Sequence, residues 1–133
     1  MIRAFRPSDI NIECNSYTEH YIENNLPLIN QCDKRTLEIN GKVMAICCFL
    51  NYNEDNYKGF FIISKDFKPY MIKNLKAAIE NHQLELDGKR LETESVDCEE
   101  LNKWHKLLGF ELEGTRRKAF NGKDYNIWGR LWV

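Results

Sequence analysis

Few side chains in this 133-residue chain have the type and spacing to move a proton or hold an anion. His105 stands four residues before Gly109 in "NKWHKLLGFELEG". An imidazole with an ordinary pKa of about 6.5 exchanges a proton around neutrality. The same place at the edge of an apolar stripe also suits a ring that rims the core or faces solvent. Glu92 and Glu94 lie two apart in "RLETESV", hence on one strand face, where a carboxylate can take a proton directly or through water. The plainer reading of that face is a solvated edge. Ser64 closes an apolar run and could polarise a carbonyl, although serines at strand ends commonly satisfy turns. "TRRK", residues 115–118, could meet phosphate or RNA, but on a hairpin of a near-neutral protein it reads more readily as a solvated face. His20 and His82 have no cysteine or carboxylate at ligand spacing, so no metal is expected.

The totals set the frame for these groups. A chain of this length fits one domain, residues 1–133, with a single core. Hydrophobic residues make up 43% and charged residues 29%, with a formal net charge of -1. Nothing global draws such a protein to nucleic acid or to acidic lipid. Met1 is followed by an arginine-flanked segment without the apolar stretch of a signal peptide. The longest apolar run, Val43 to Leu50, is too short to span a bilayer. Five cysteines, two of them adjacent and none in CxxC spacing, argue for reduced thiols in a cytosol-like compartment.

The elements that must position the candidates follow from periodicity. "MIRAFRPSD" reads as a short strand and a helix start. Ile10, Cys14, Tyr17 and Tyr21 trace one helical face, and Pro27 marks its break. Asn40–Gly41 and Asn121–Gly122 each sit between β-prone runs, the signature of a type I′ hairpin. "YKGFFIIS" is a strand of the buried kind. Pro69 opens a helix whose face is Met71, Ile72, Leu75, Ala78 and Ile79. "RLETESV" is a strand, and Asp97 with Glu100 looks like the cap of the helix carrying Leu101, Trp104 and Leu108. Gly109 stops that helix. The expected order is β-α-β-β-β-α-β-α-β-β, an α/β (α+β) architecture. Trp104, Trp128 and Trp132 read as core or interface anchors.

That order, together with "LNKWHKLLGFELEGTRRKAFNGKDYNIWGRLW" and the preceding "RLETES", resembles the GNAT superfamily of N-acetyltransferases. By motif the likeness covers the closing third: an amphipathic helix, "LGF", "EG", a basic residue and an "NG" hairpin. The GNAT-like fold so implied has a central mixed, mostly antiparallel sheet flanked by helices.

The resemblance implies transfer of an acetyl group from acetyl-CoA to an amine of a small molecule or a protein. A tyrosine often serves as the family's acid four residues before the "GF" glycine. His105 occupies that slot and is implied as general acid, with Glu92 or Glu94 as base or amine-orienting group. Ile62, Ile63 and Ser64 would pair their backbones with the pantetheine arm. The family's Gln/Arg-x-x-Gly-x-Gly/Ala loop, whose glycines admit the pyrophosphate, is replaced by "SKDFKPYMIKNL". Lys68 falls at the basic position, and Met71 and Lys73 stand where glycines belong. Lys65 and Tyr70 complete the implied cofactor platform. Charge on Lys65, Lys68 and Lys73 offers about 0.3–1 kcal/mol each without restoring close backbone approach. Acetyl-CoA binding is therefore expected to be weak or absent.

The alternative is a catalytically inactive GNAT-fold binding or structural protein, since some tailed-phage proteins look like this fold with an eroded loop. An RNA- or ribosome-associated module using "TRRK" is a third reading. The expected partner is an amine acceptor, with neither membrane nor nucleic acid. The expected location is cytoplasmic, or the virion for a phage protein. A tryptophan-rich closing strand also suits a homodimer formed by strand exchange or pairing, which the sequence leaves open.

Overall fold

A computed structural model describes residues 1–131, apart from the side chains of Glu19, His20, Tyr21 and Glu23. The expectations for Trp132 and for the side chains of His20 and Tyr21 lie outside the described residues. The strands are β1 (Ile2–Ala4), β2 (Asp33–Ile39), β3 (Lys42–Asn53), β4 (Asn56–Ile63), β5 (Arg90–Val96), β6 (Glu111–Phe120) and β7 (Lys123–Leu131). The helices are α1 (Glu19–Gln31), α2 (Ile72–Glu85) and α3 (Glu99–Leu107), with 3-10 turns at Pro7–Asn11 and Pro69–Met71. Along the chain this is the order expected from the sequence.

The strands form one seven-stranded sheet in the order β1-β2-β3-β4-β5-β7-β6. Every neighbouring pair is antiparallel except β4 and β5. Both Asn-Gly hairpins form as expected: Asn40 (φ 53°) and Gly41 (φ 78°) join β2 to β3, and Asn121 (φ 52°) and Gly122 (φ 70°) join β6 to β7. Paired left-handed residues match the twist of the flanking strands.

Helices α2 and α3 cover one face, over a core that includes Cys47, Phe49, Ile63, Leu75, Ile79, Leu91 and Trp128. On the other face α1 and the first 3-10 turn close over Ile29, Cys32, Ile46, Cys48 and Ile62. Alternation along β3 sends the adjacent Cys47 and Cys48 to opposite sides, each at 0% exposure. Burial pushes the Cys47 thiol up to about 12 and raises Cys48 as well, so both serve as small apolar side chains.

Three local expectations are corrected. Residues 10–17 form no α-helix: after the 3-10 turn ends at Asn11 the chain runs extended through Cys14, which bridges Ser64, and α1 begins only at Glu19. The spacing of Ile10 and Cys14 reflects packing of both against the core on α1's side of the sheet rather than a helical face, and Tyr17 is 41% exposed. Pro27 does not end α1; the helix kinks at Asn25 (φ −129°, ψ 18°), so the proline lies in the first turn after the kink, where a missing N–H costs little. Cys98, not Asp97, is the cap residue of α3. The Asp97 carboxylate instead accepts from Asn102 (2.8 Å) and Asn126 (3.1 Å).

The parallel pair is short. Asn56, Tyr57 and Lys58 match Arg90, Leu91 and Glu92, and no partners are matched beyond them. Past Lys58 the two strands part beneath α3. On the helix side of that gap, Phe61 meets Phe110 (6.3 Å) and Phe67 meets Trp104 (5.8 Å).

Candidate functional site

The edge of β4 freed by this parting is where the resemblance puts the arm of the acyl donor. Ser64 N–H donates to the Met44 carbonyl of β3 at 3.0 Å. Alternation then gives the backbone groups of Ile62 to β3 as well, so Ile63 and Lys65 are the residues facing the open edge. Of the three residues expected to pair with the arm, Ile62 and Ser64 therefore face the wrong way.

The open edge is already paired, by the chain's own residues. Asn15 N–H donates to the Ile63 carbonyl at 2.8 Å, and Lys65 N–H donates to the Glu13 carbonyl at 2.9 Å. These two bonds flank the antiparallel bridge between Cys14 and Ser64. The Thr18 hydroxyl accepts from Ile63 N–H at 3.2 Å and shares its proton between Asn15 Oδ1 (2.9 Å) and the Ile63 carbonyl (3.2 Å). Outside the edge, Lys65 forms an ion pair with Glu13, and Tyr17 donates to Glu100 of α3 at 2.9 Å. Upstream, the buried Asp9 carboxylate takes a two-pronged contact from Arg3 (2.9 Å each), the Arg6 N–H (2.8 Å) and the Thr36 hydroxyl (2.8 Å). Arg3 holds this carboxyl well below the usual range, and the anchored turn aims residues 13–18 at β4.

The loop that would cradle a pyrophosphate uses several of its donors internally. Pro69 has no N–H, Met71 N–H donates to the Lys68 carbonyl (2.8 Å), and Ile72 N–H donates to the Pro69 carbonyl. Lys68 N–H donates to the Met71 sulfur at 3.4 Å, and the Met71 side chain is 6% exposed, packed in the core. Lys68, Tyr70 and Lys73 are exposed around this turn. A shallow groove runs from it between α2 and α3, lined by Pro69, Ile72, Trp104 and Lys103 but also by Glu99 and Glu100. Those two carboxylates repel phosphate. As arranged here, the residues do not fit acetyl-CoA: its arm has no free edge, and the loop for its phosphates turns the N–H groups of Lys68, Met71 and Ile72 to its own acceptors.

The three expected acid–base residues do not converge. Along β5 the residues Leu91, Thr93 and Ser95 are buried under the helices, which turns Glu92 and Glu94 to the opposite face. Glu92 lies 3.0 Å from Arg90 and Glu94 lies 3.4 Å from Arg116. His105 is on the helix side, 8% exposed, stacked on Trp128 (5.1 Å, 11°) and edge-on to Phe110 (5.7 Å). Its Nδ1 lies 2.7 Å from the Leu101 carbonyl, an acceptor only, so the ring proton sits on Nδ1. Burial lowers its pKa, which keeps the ring neutral at pH 7 with a lone pair on Nε2. The Trp128 indole donates to Ser95 at 3.0 Å and fixes the ring on which His105 lies.

Ser64 takes the plain role weighed for it: its hydroxyl accepts from Asp66 N–H at 3.0 Å. Among the described residues, no group of three or more His, Cys, Asp or Glu side chains could hold a metal ion. Among the described residues no helix is long and apolar enough to cross a membrane. Sequence reasoning missed Glu13, Asn15, Tyr17 and Thr18. The available signal was "NSYTE", where Asn15 suits an Asx turn and Thr18 a helix entry; the apparent helical stripe outweighed it.

No family model and no curated protein matches the chain. Solved structures do match it, along nearly its whole length. The Ard1 structure from Thermoplasma volcanium superposes with a TM-score of 0.80 at 18% identity, covering 100% of this chain and 97% of that one. An IAA acetyltransferase from Bacillus cereus ATCC 14579 gives 0.77 at 11% identity and 99% of both chains. The ribosomal-protein-S18-alanine N-acetyltransferase from Escherichia coli gives 0.72 at 19% identity, covering 98% of this chain and 92% of that one. The fold is that of the GNAT superfamily.

Proposed function

We propose that the chain is an N-acetyltransferase that acts on an amine of a small molecule or a protein, with acetyl-CoA as donor, and that its donor edge is closed in the state described above. The observation that carries this reading is the parting of β4 and β5 past Lys58 and Glu92 beneath α3, with His105 in the aromatic cluster alongside. The structures it resembles are named for acetylation of ribosomal proteins and of spermidine, among other acceptors. The protein works as one domain over residues 1–133, in the cytoplasm.

Within this reading the chain's residues take modified roles. A neutral His105 with Nε2 bare accepts a proton before it can donate one, so it acts as a proton carrier rather than a standing acid. Glu92 and Glu94, each beside an arginine, orient a cationic amine on the other face of the sheet. Lys68 and Lys73 supply exposed charge in place of the family's glycine loop, which makes donor binding weak.

A second reading is favoured by one specific observation, the self-paired edge beside a loop whose Lys68, Met71 and Ile72 N–H groups are engaged within it. On that reading the fold serves as a non-catalytic binding or structural module, of the kind a phage or virion would use. Isothermal titration with acetyl-CoA separates the two. One-to-one binding together with amine-dependent release of coenzyme A supports the enzyme; no heat at millimolar donor supports the module and removes the enzyme.

A further inference from the structure

Thr18 occupies the first-cap position of α1, yet its hydroxyl makes no cap bond to that helix. A threonine there ordinarily satisfies the first free N–H groups of its own helix. Here the hydroxyl reaches 45 residues along the chain to both backbone groups of Ile63. Asn15 serves the same purpose: its side chain accepts from the N–H of Tyr17 (3.2 Å), the N–H of Thr18 (3.0 Å) and the Thr18 hydroxyl. The resulting tight turn presents the Asn15 N–H and the Glu13 carbonyl to β4 at strand spacing. Amide donors and acceptors in an extended chain are also what the arm of an acyl-CoA would offer that edge.

We propose that Glu13–Thr18 is an internal stand-in for the donor's amide arm, a displaceable latch that must leave Ile63 and Lys65 before acetyl-CoA can pair with β4. This rests on the acetyltransferase reading above. The latch is short enough to release. Its edge contact is confined to Ile63, Ser64 and Lys65, through the two-bond bridge and the Thr18 hydroxyl; its ion pair between Lys65 and Glu13 is exposed, and Tyr17, which ties it to α3, is 41% exposed. Release would leave Ile63 with both backbone groups unpaired, a cost that an incoming arm with its own amides removes. Competition for the same two groups makes latch and donor mutually exclusive.

The test pairs hydrogen exchange at single amides with donor titration. Thr18→Val keeps the shape and removes the hydroxyl; Asn15→Ala, at a half-buried position, dissolves the turn and serves should Thr18→Val fold poorly. Either change should speed exchange at the Asn15 and Lys65 amides by about tenfold, the effect of losing one to two net hydrogen bonds. Acetyl-CoA should then bind the variants about tenfold more tightly than the natural chain. In the natural chain, saturating acetyl-CoA should raise exchange at Asn15 while protecting Ile63. If acetyl-CoA binds all three proteins equally and Asn15 protection does not move, the latch is overturned while the acetyltransferase reading stands. If the variants show a freed Asn15 amide and still bind no acetyl-CoA at millimolar concentration, both are overturned.

Discussion

His82 and His105 stand at matching places in the two helices that cover the same face of the sheet. Each lies in the last turn of its helix, and each is stacked on an aromatic ring of the sheet, His82 on Phe49 at 3.9 Å and His105 on Trp128 at 5.1 Å. Burial lowers the pKa of both. Their hydrogen bonds differ. His82 Nε2 lies 2.8 Å from Asp33 Oδ1, a carboxylate that accepts the ring proton, and its Nδ1 is the one buried side-chain N or O without a partner among the described residues. His105 places its proton on the opposite nitrogen, Nδ1, and directs it to a carbonyl of its own helix. Its Nε2 is not among the sealed, partnerless atoms and so keeps contact with solvent. Two histidines that look alike by helix position and burial are thus fixed in opposite tautomers. One is spent on the core, and the other retains a working lone pair.

Substitutions can break this contrast. His82→Ala should cost about 2–4 kcal/mol, because it leaves a cavity against Phe49 and takes one of two donors, the other being Arg35, from the Asp33 carboxylate. Urea unfolding measures this, and a loss no larger than that of His105→Ala would erase the distinction between a sealed ring and a rim ring. In an acetylation assay, His105→Phe should lower turnover by about a hundredfold with the acetyl-CoA dissociation constant unchanged, as expected for loss of a proton-transferring group. His82→Phe should leave turnover alone.

Smaller effects sharpen it. Below pH of about 6.5 the unfolded chain takes up a proton at each ring that the folded chain resists, so stability should fall as pH drops from there. Urea midpoints at pH 7.5 and 5.5 should differ less in either His→Phe variant than in the natural chain, and least in the double variant. Nitrogen shifts of the two rings at pH 7 should show an Nε2-protonated His82 and an Nδ1-protonated His105 without any change in stability.

Much of this contrast was hidden in the sequence, for a physical reason. The order of strands and helices, both Asn-Gly hairpins and the stop at Gly109 depend on short-range rules: two-residue turns, periodicity and a left-handed cap (Gly109 φ 90°). They could be read. The latch could not, because Thr18 and Ile63 are 45 residues apart and no local pattern marks a hydroxyl that abandons its own helix. The fourfold spacing of Ile10 and Cys14 arose instead from a 3-10 turn followed by extended chain, both packed on the same core. Glu92 and Glu94 were correctly placed on one strand face, but which face, and whether His105 shared it, is a matter of how α3 docks. Helix position likewise gave no hint of the tautomers, which are set by Asp33 in one case and by Leu101 in the other.

The graded burial of the five thiols makes the molecule its own stopwatch. Cys14 sits half-buried in the bridge to Ser64, whereas Cys32, Cys47 and Cys48 are sealed in the core. Cys98, at the cap of α3, is half-buried as well, so it is first replaced by serine. A thiol-directed label added to that Cys98→Ser protein will react at two separate rates, with the faster marking departures of residues 13–18 from β4 and the slower marking global unfolding. Motion at the edge can thus be timed without knowing any substrate.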